Sequence, residues 1–165
     1  MVRIARWLGI GLAGIVMALF VVVMLARQGD GPIAIIAGGP LEAGELVSSR
    51  GVDWSFVTPV PEIELQLLEP PRSRTVWAVS HQGALFVPCG FLSMPLWKQW
   101  PYQALEDGRA VVRVLGKRYE VQAKKVEEPE LYQTVAGLVA DKYALPRSGP
   151  ADPEELWIFR LDPRS

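Results

Sequence analysis

Residues 107–126 read DGRAVVRVLGKRYEVQAKKV, and the reading of this stretch decides the architecture. Asp107-Gly108 turns the chain into a β-branched run at 110–115, and Gly116-Lys117 links it tightly to a second run ending at Val126. Two such runs joined by so short a glycine-containing link predict an antiparallel hairpin. The punctuation repeats upstream. Ile63, Leu65 and Leu67 alternate with Glu62, Glu64 and Gln66, the period-two pattern of a strand with one wet face, and Pro70-Pro71 closes it. Residues 75–79 follow, then a turn at His81-Gln82-Gly83 and a return strand at 84–87. Residues 95–106, PLWKQWPYQALE, read as a short helix broken by Pro101. Downstream, Glu127-Glu128-Pro129 suits a helix start, since proline fits the first turn and acids fit the positive end of the dipole. Leu131, Val135, Leu138 and Val139 then form an apolar stripe up to Lys142-Tyr143, and LWIFRL at 156–161 is a last strand. The expectation is mainly β: six or seven strands and two short helices, the sheet curled into a small barrel because closure removes exposed edges. A flat open sheet with a helix on one face is the second choice.

Ahead of the barrel, residues 7–26 (WLGIGLAGIVMALFVVVMLA) carry no charge and are flanked by Arg6 and Arg27. As a helix this run rises about 30 Å, the thickness of a bilayer's hydrocarbon core. A secretory signal has a shorter apolar region and a small-x-small cleavage site. Met24-Leu25-Ala26-Arg27 makes a poor one, so a retained anchor in the lipid bilayer is expected. Arg3, Arg6 and the terminal amine precede the helix, while Arg27 is soon answered by Asp30. That bias predicts a single-pass protein of a bacterial inner membrane, with a cytoplasmic N-terminus and an exported, periplasmic domain. Gly9, Gly11 and Gly14 lie near one helix face, where close helix contact competes with the plainer reading that such helices are rich in glycine. The expected division is an anchor at 1–27, a linker and irregular lead-in at 28–53, and the barrel at 54–165.

The chain has 165 residues, so about 135 follow the anchor, enough for one domain with a real core. A formal net charge of −1 without a long basic run argues against nucleic acid as a partner. Cys89 is the one cysteine, so no intrachain disulfide forms. Fourteen prolines and fifteen glycines suit short strands and turns better than a helical bundle.

Candidate chemistry is sparse. His81 and Cys89 lie eight extended residues apart, about 26 Å, with His81 at a turn, so a nucleophile–base pair is disfavoured. One histidine and one cysteine cannot supply the usual metal set, and none is expected. Haem ligation by His81, Tyr119 or Met94 competes with the plainer reading of a solvated turn histidine. Arg72-Ser73-Arg74 is expected in the loop between two strands, where two guanidinium groups, a hydroxyl and backbone donors converge on a phosphate or simply face water. Trp97, Trp100 and Tyr102 with Lys98 form the densest aromatic cluster. Three readings compete there: stacking on a flavin-like cofactor or quinone, contact with headgroups, or core packing under a helix that covers the barrel mouth.

Taken in order, the W..WPYQAL helix segment, EDGRAVVRVLGKRYEVQAKKVEEPEL and the LQLL–RSRTVWAV–GALFVP hairpins resemble the split-barrel flavin- and deazaflavin-binding proteins. The likeness is to the nitroreductase and quinone reductase branch, related to the pyridoxamine phosphate oxidase-like fold, and covers roughly residues 60–143. It implies an FMN-binding-like split β-barrel that holds FMN or a deazaflavin. Arg72, Ser73 and Arg74 match the position of that family's phosphate-binding loop, and Trp97, Lys98 and Trp100 match its tryptophan-rich helix. Two departures stand out. The family's loop is longer and richer in basic and small residues, and its helix carries a histidine–asparagine pair that this chain lacks. Two functions are therefore carried forward. One is a membrane-anchored reductase that uses a flavin or deazaflavin on a quinone-like acceptor. The other is a non-catalytic barrel without cofactor that binds a ligand or membrane protein partner at the membrane surface.

Overall fold

The computed structural model describes residues 2–34, 36–90, 92, 99–146 and 149–164. Its elements run α1 (Val2–Gln28), β1 (Glu45–Val47), a 3-10 turn (Trp54–Val57), β2 (Ile63–Leu67), β3 (Arg72–Val76), β4 (Val79–His81) and β5 (Ala84–Gly90). They continue with α2 (Trp100–Glu106), β6 (Arg109–Val114), β7 (Lys117–Lys125), α3 (Pro129–Lys142) and β8 (Leu156–Pro163).

One eight-stranded sheet has the order β3-β2-β6-β7-β8-β5-β4, with β1 added to β7. Every pairing is antiparallel except β1 with β7, which is parallel. Strands β3 and β4 stand at opposite edges of this order, yet only Trp77 and Ala78 separate them in sequence. Three residue steps span about 10 Å at most. A flat seven-strand path would need roughly three times that, so the sheet must curl until its edges nearly meet. That makes the barrel, and it splits the single strand expected at 75–79 into the ends of two edge strands.

The crossover is held from outside. Tyr143 stacks on Trp77 with ring centroids 4.2 Å apart and planes at 8°. Its hydroxyl accepts from the Ala78 N–H at 2.9 Å and donates to the Pro61 carbonyl at 2.7 Å. The Lys142 ammonium donates to the carbonyls of Ala78 at 2.7 Å and Val57 at 3.0 Å.

Alternation sends Leu65 and Leu67 of β2, Val112 and Val114 of β6, Val121 of β7, Leu85 and Val87 of β5 and Phe159 of β8 into the barrel interior. Each fully buried leucine contributes about 1.5–3 kcal/mol of transfer free energy. The opposite faces of β5 and β8 are covered too. Phe86 and Ile158 pack outward against Tyr132, Val135 and Val139 of α3; Val135 and Val139 belong to the stripe read from the sequence, whose Leu131 and Leu138 are only partly buried. Burial on both faces explains why ALFVPC and LWIFRL are almost continuously apolar.

Both hairpin links are two-residue turns with positive φ throughout: 50° and 75° at Gln82 and Gly83, 49° and 76° at Leu115 and Gly116. That geometry matches the twist of the flanking strands. Pro101 lies in the first turn of α2 and opens the helix rather than breaking it, because an N–H in the first turn has no intrahelical acceptor and proline forfeits nothing by lacking one. Residues 93–98 lie outside the described residues.

Residues 29–34 and 36–47 cross the outer face of β3, β2, β6 and β7. The Leu41 N–H donates to Gln66 Oε1 at 2.7 Å, and Gly38 exchanges backbone bonds with Ser73. Arg118 donates to the carbonyls of Leu41 and Gly44. Arg113 binds the Glu64 carboxylate beside it and, through Nη1 at 2.7 Å, Asp30.

Candidate functional site

The Arg72-Ser73-Arg74 triplet stands on strand β3, not in the loop expected from sequence; residues 68–71 make that turn. The reason is pairing. Leu67 and Leu65 register with Arg72 and Arg74, so the β2 ladder extends to the end of the triplet. Cross-strand partners share a face, which puts both arginines on the side of Leu65 and Leu67, facing the barrel interior. Ser73 takes the other face. There it is fully buried under the lead-in, its hydroxyl donating to the Gly39 carbonyl at 2.6 Å. Alternation thus separates the hydroxyl from the two guanidinium groups.

Arg74 is the unusual residue. Its guanidinium carbon lies 5.7 Å from the Trp100 ring centroid, and one Nη donates to the Arg72 carbonyl at 3.3 Å. Its Nε is buried and has no hydrogen-bond partner among the described residues. Burial pulls the guanidinium down to about 10, with the nearby Cys89 side chain acting weakly the other way. A cation here lacks the compensation that buried charges ordinarily have. Among the described residues, Arg72 Nη1 reaches the adjacent Pro71 carbonyl, at 3.3 Å.

Trp100 comes from the start of α2, which lies across the barrel mouth. The ring is buried, touching Arg74 on one wall and Phe159 of β8 on another, with centroids 5.3 Å apart. Tyr102 packs edge-on against Trp157 at 5.0 Å, and the Lys125 ammonium sits 4.1 Å from the Trp157 ring centroid. Of the expected cofactor residues, Arg74 and Trp100 therefore come together and Arg72 stands beside them. Trp97 and Lys98, like Met94, lie outside the described residues.

A shallow groove of about 370 Å³ runs between the end of α2 and β7, lined by Glu106, Asp107, Gln122, Lys124 and Lys125 among others. Its mixed charges select no ion, and it reaches neither Arg74 nor Trp100. His81 registers with Ala84, five residues before Cys89 along β5, or about 17 Å, so the two form no dyad. Among the described residues, no three His, Cys, Asp or Glu side chains gather as a metal site.

Two features were not read from the sequence. Cys89 of β5 sits near Arg74 of β3, strands that the order keeps apart until the sheet closes, a proximity that no local pattern announces. The Asp30–Arg113–Glu64 cluster did leave a trace: Arg113 is the one charge inside AVVRVL, at an outward position between Val112 and Val114.

No protein-family model matches the chain, and no curated protein is significantly similar to it. Solved structures do match. A conserved hypothetical protein from Mycobacterium tuberculosis is 18% identical, with 73% of this chain and 84% of that one aligned at a TM-score of 0.50. A proposed 5-nitroimidazole antibiotic resistance protein from Bacteroides thetaiotaomicron is 7% identical, with 72% and 82% aligned, also at 0.50. A proposed pyridoxamine 5′-phosphate oxidase from Listeria innocua aligns over 64% and 85% at 10% identity and a TM-score of 0.49. At such identities the likeness is one of fold. By fold, the chain is a split β-barrel, as its sequence led one to expect.

Proposed function

We propose that the protein is a single-pass membrane protein whose split barrel binds a flavin or deazaflavin beside Arg74 and Trp100 and reduces a lipid-soluble, quinone-like acceptor. One observation carries the reading: a buried guanidinium with an unpartnered Nε, held against a tryptophan at the barrel mouth. An anionic, flat ligand supplies what that cation lacks. Arg74 and Arg72 would hold its phosphate or acidic tail, and the Trp100 ring would orient the flat portion by stacking. The flavin or deazaflavin, when bound, supplies hydride transfer; the chain supplies position, charge and exclusion of water.

The anchor is part of the proposal. Helix α1 contains an apolar span at Ile10–Gln28 whose side chains are almost entirely exposed. Retention rather than cleavage is supported by its last turn. Ala26 is fully buried, and its carbonyl accepts from the Gly39 N–H at 3.2 Å, so the helix end is built into the domain. A lipid-soluble acceptor suits a site tethered in this way, and the charge bias suits an exported domain.

One observation favours a second reading. The Ser73 hydroxyl is spent on Gly39, and residues 68–71 form a short turn, which leaves two guanidinium groups where the family has a full loop. A non-catalytic barrel that binds a ligand or a membrane protein needs no more. The test is a fluorescence titration of the full chain, in detergent or nanodiscs, with FMN and with a deazaflavin. Binding abolished by Arg72→Ala with Arg74→Ala supports the reductase. Absence of binding below about millimolar, or about −4 kcal/mol, leaves the binding module. A reporter fused to the C-terminus tests the side of the membrane.

A further inference from the structure

From Gly31 to Leu41 the chain reads GPIAIIAGGPL, without a single polar side chain. A surface loop of a water-soluble domain is seldom so apolar, since loops ordinarily carry turn-forming polar residues. The backbone here closes on itself: the Ile33 N–H donates to the Ile36 carbonyl at 3.1 Å, and the Ile36 N–H returns to Ile33 at 2.9 Å. Ile33 is 54% exposed, Ala34 and Ala37 are exposed, and Ile36 is half-buried. The result is a small apolar knuckle projecting from the barrel.

Its base is fixed against the end of α1. A Cβ on Gly38 would fall 1.7 Å from the Gly31 carbonyl oxygen, so the two arms of the loop touch backbone to backbone. Gly39, immediately after, donates to the carbonyls of Ala26 at 3.2 Å and Gly29 at 3.1 Å. Asp30, the charge immediately before the loop, is answered on both oxygens. Oδ1 accepts from the Glu42 and Ala43 N–H groups at 2.6 and 3.2 Å, and Oδ2 accepts from Arg113 at 2.7 Å. Burial pushes this carboxyl up, but those bonds outweigh it and hold it below its ordinary value. An apolar loop with no charged side chain of its own, bonded to the last turn of the apolar helix, is thus continuous with the surface that the span presents to lipid.

The geometry points to residues 31–34, 36 and 37 as a second membrane contact, a knuckle that seats in the leaflet surrounding the C-terminal end of α1. This rests on the proposed anchor. Its consequence is orientation. Helix and knuckle are two points of attachment, so the barrel is held with the outer face of β3, β2 and β6 toward the bilayer instead of swinging on a leash. Ser73, the link between knuckle and β3, adjoins Arg74, which brings the candidate site near the lipid surface.

The test uses the full chain in liposomes, with buried Cys89 left in place. Ile33→Cys carries an environment-sensitive fluorophore; Glu154→Cys, an exposed position on the wall that α3 covers, is the reference. Seating in lipid gives a blue-shifted emission at 33 and quenching by nitroxide lipids several-fold stronger than at 154. Adding Ala34→Asp, a residue suited to the φ of 52° there, should leave the circular dichroism unchanged and return the emission at 33 to that of water. Release of the chain by carbonate overturns the anchor and the knuckle together. Retention with a wet label at 33, or with quenching that Ala34→Asp leaves intact, overturns the knuckle alone. A label shielded at 33 but untouched by nitroxide lipids marks a protein contact and overturns it too.

Discussion

Arg74→Met should stabilise the ligand-free protein while abolishing the flavin binding proposed for this site. The guanidinium is pulled well below its ordinary value, to about 10, by burial, a cost of about 3 kcal/mol at 1.4 kcal/mol for each tenfold change. Against that, the cation–π contact with Trp100 at 5.7 Å returns about 0.5–1 kcal/mol, and the 3.3 Å bond to the Arg72 carbonyl about 1 kcal/mol. Methionine keeps the unbranched stem and leaves no buried donor, so the net gain is about 1 kcal/mol. In melting temperature this is roughly 2–8 °C. Below about 10 the side chain is protonated in the folded and unfolded chains alike, so the gain is flat across neutral pH. It shrinks as pH rises above about 10, where the folded protein can shed the proton that the unfolded chain still holds. The assay is a thermal melt of the full chain followed by tryptophan fluorescence, wild type beside Arg74→Met, paired with an FMN titration. A lower melting temperature for the variant would refute the reasoning, because it would make Arg74 a packing residue rather than a cation awaiting a ligand.

Ser73→Ala leaves the Gly39 carbonyl without its buried donor and should destabilise the chain by about 1–3 kcal/mol, read from urea melts, with faster amide exchange at Gly38 and Gly39. Leu115 is 74% exposed and holds a φ of 49°, so Leu115→Asn should raise stability by about 1 kcal/mol in the same melts. Hydrogen bonds from the Arg109 side chain and N–H hold the Asp107 carboxyl at about 2, below its ordinary 3.8. The stability this contributes is present above 3.8 and lost as pH falls through about 2. Stability measured against pH should therefore be flatter over that acid range in Asp107→Asn, and an unchanged slope would place the acid sensitivity elsewhere.

Strand placement was legible wherever one face is dry. The alternation at 62–67 locates β2, and the glycine links at 83 and 116 locate two hairpins, because side-chain period and turn sterics are local. The α3 stripe was legible for the same reason. Pro101 misled because proline opens a helix as readily as it breaks one, and only the position of the first turn distinguishes the two. The division of 75–79 between two strands could not be read, since it depends on which neighbours each half pairs with. Nor could β1: three residues gain strand geometry only by lying against β7.

For the candidate site the limit falls at a similar place. The sequence named Arg72, Ser73, Arg74 and Trp100 as polar and aromatic groups worth noting, which is a matter of composition. Strand alternation, a local property, then fixes that Ser73 and the arginines point opposite ways once the triplet is known to be strand. Whether it is strand depends on pairing with β2. That Arg74 meets Trp100, that the Ser73 hydroxyl is consumed by Gly39 and that Asp30 clasps Arg113 across 83 positions of sequence depend on barrel closure. The sequence alone therefore determined an apolar helix followed by antiparallel hairpins, because hydrophobic period and turn chemistry act over a few residues. Only the tertiary structure decided where the unpaired charge lies, because a charge's environment is set by groups that the closed sheet brings in from distant parts of the chain.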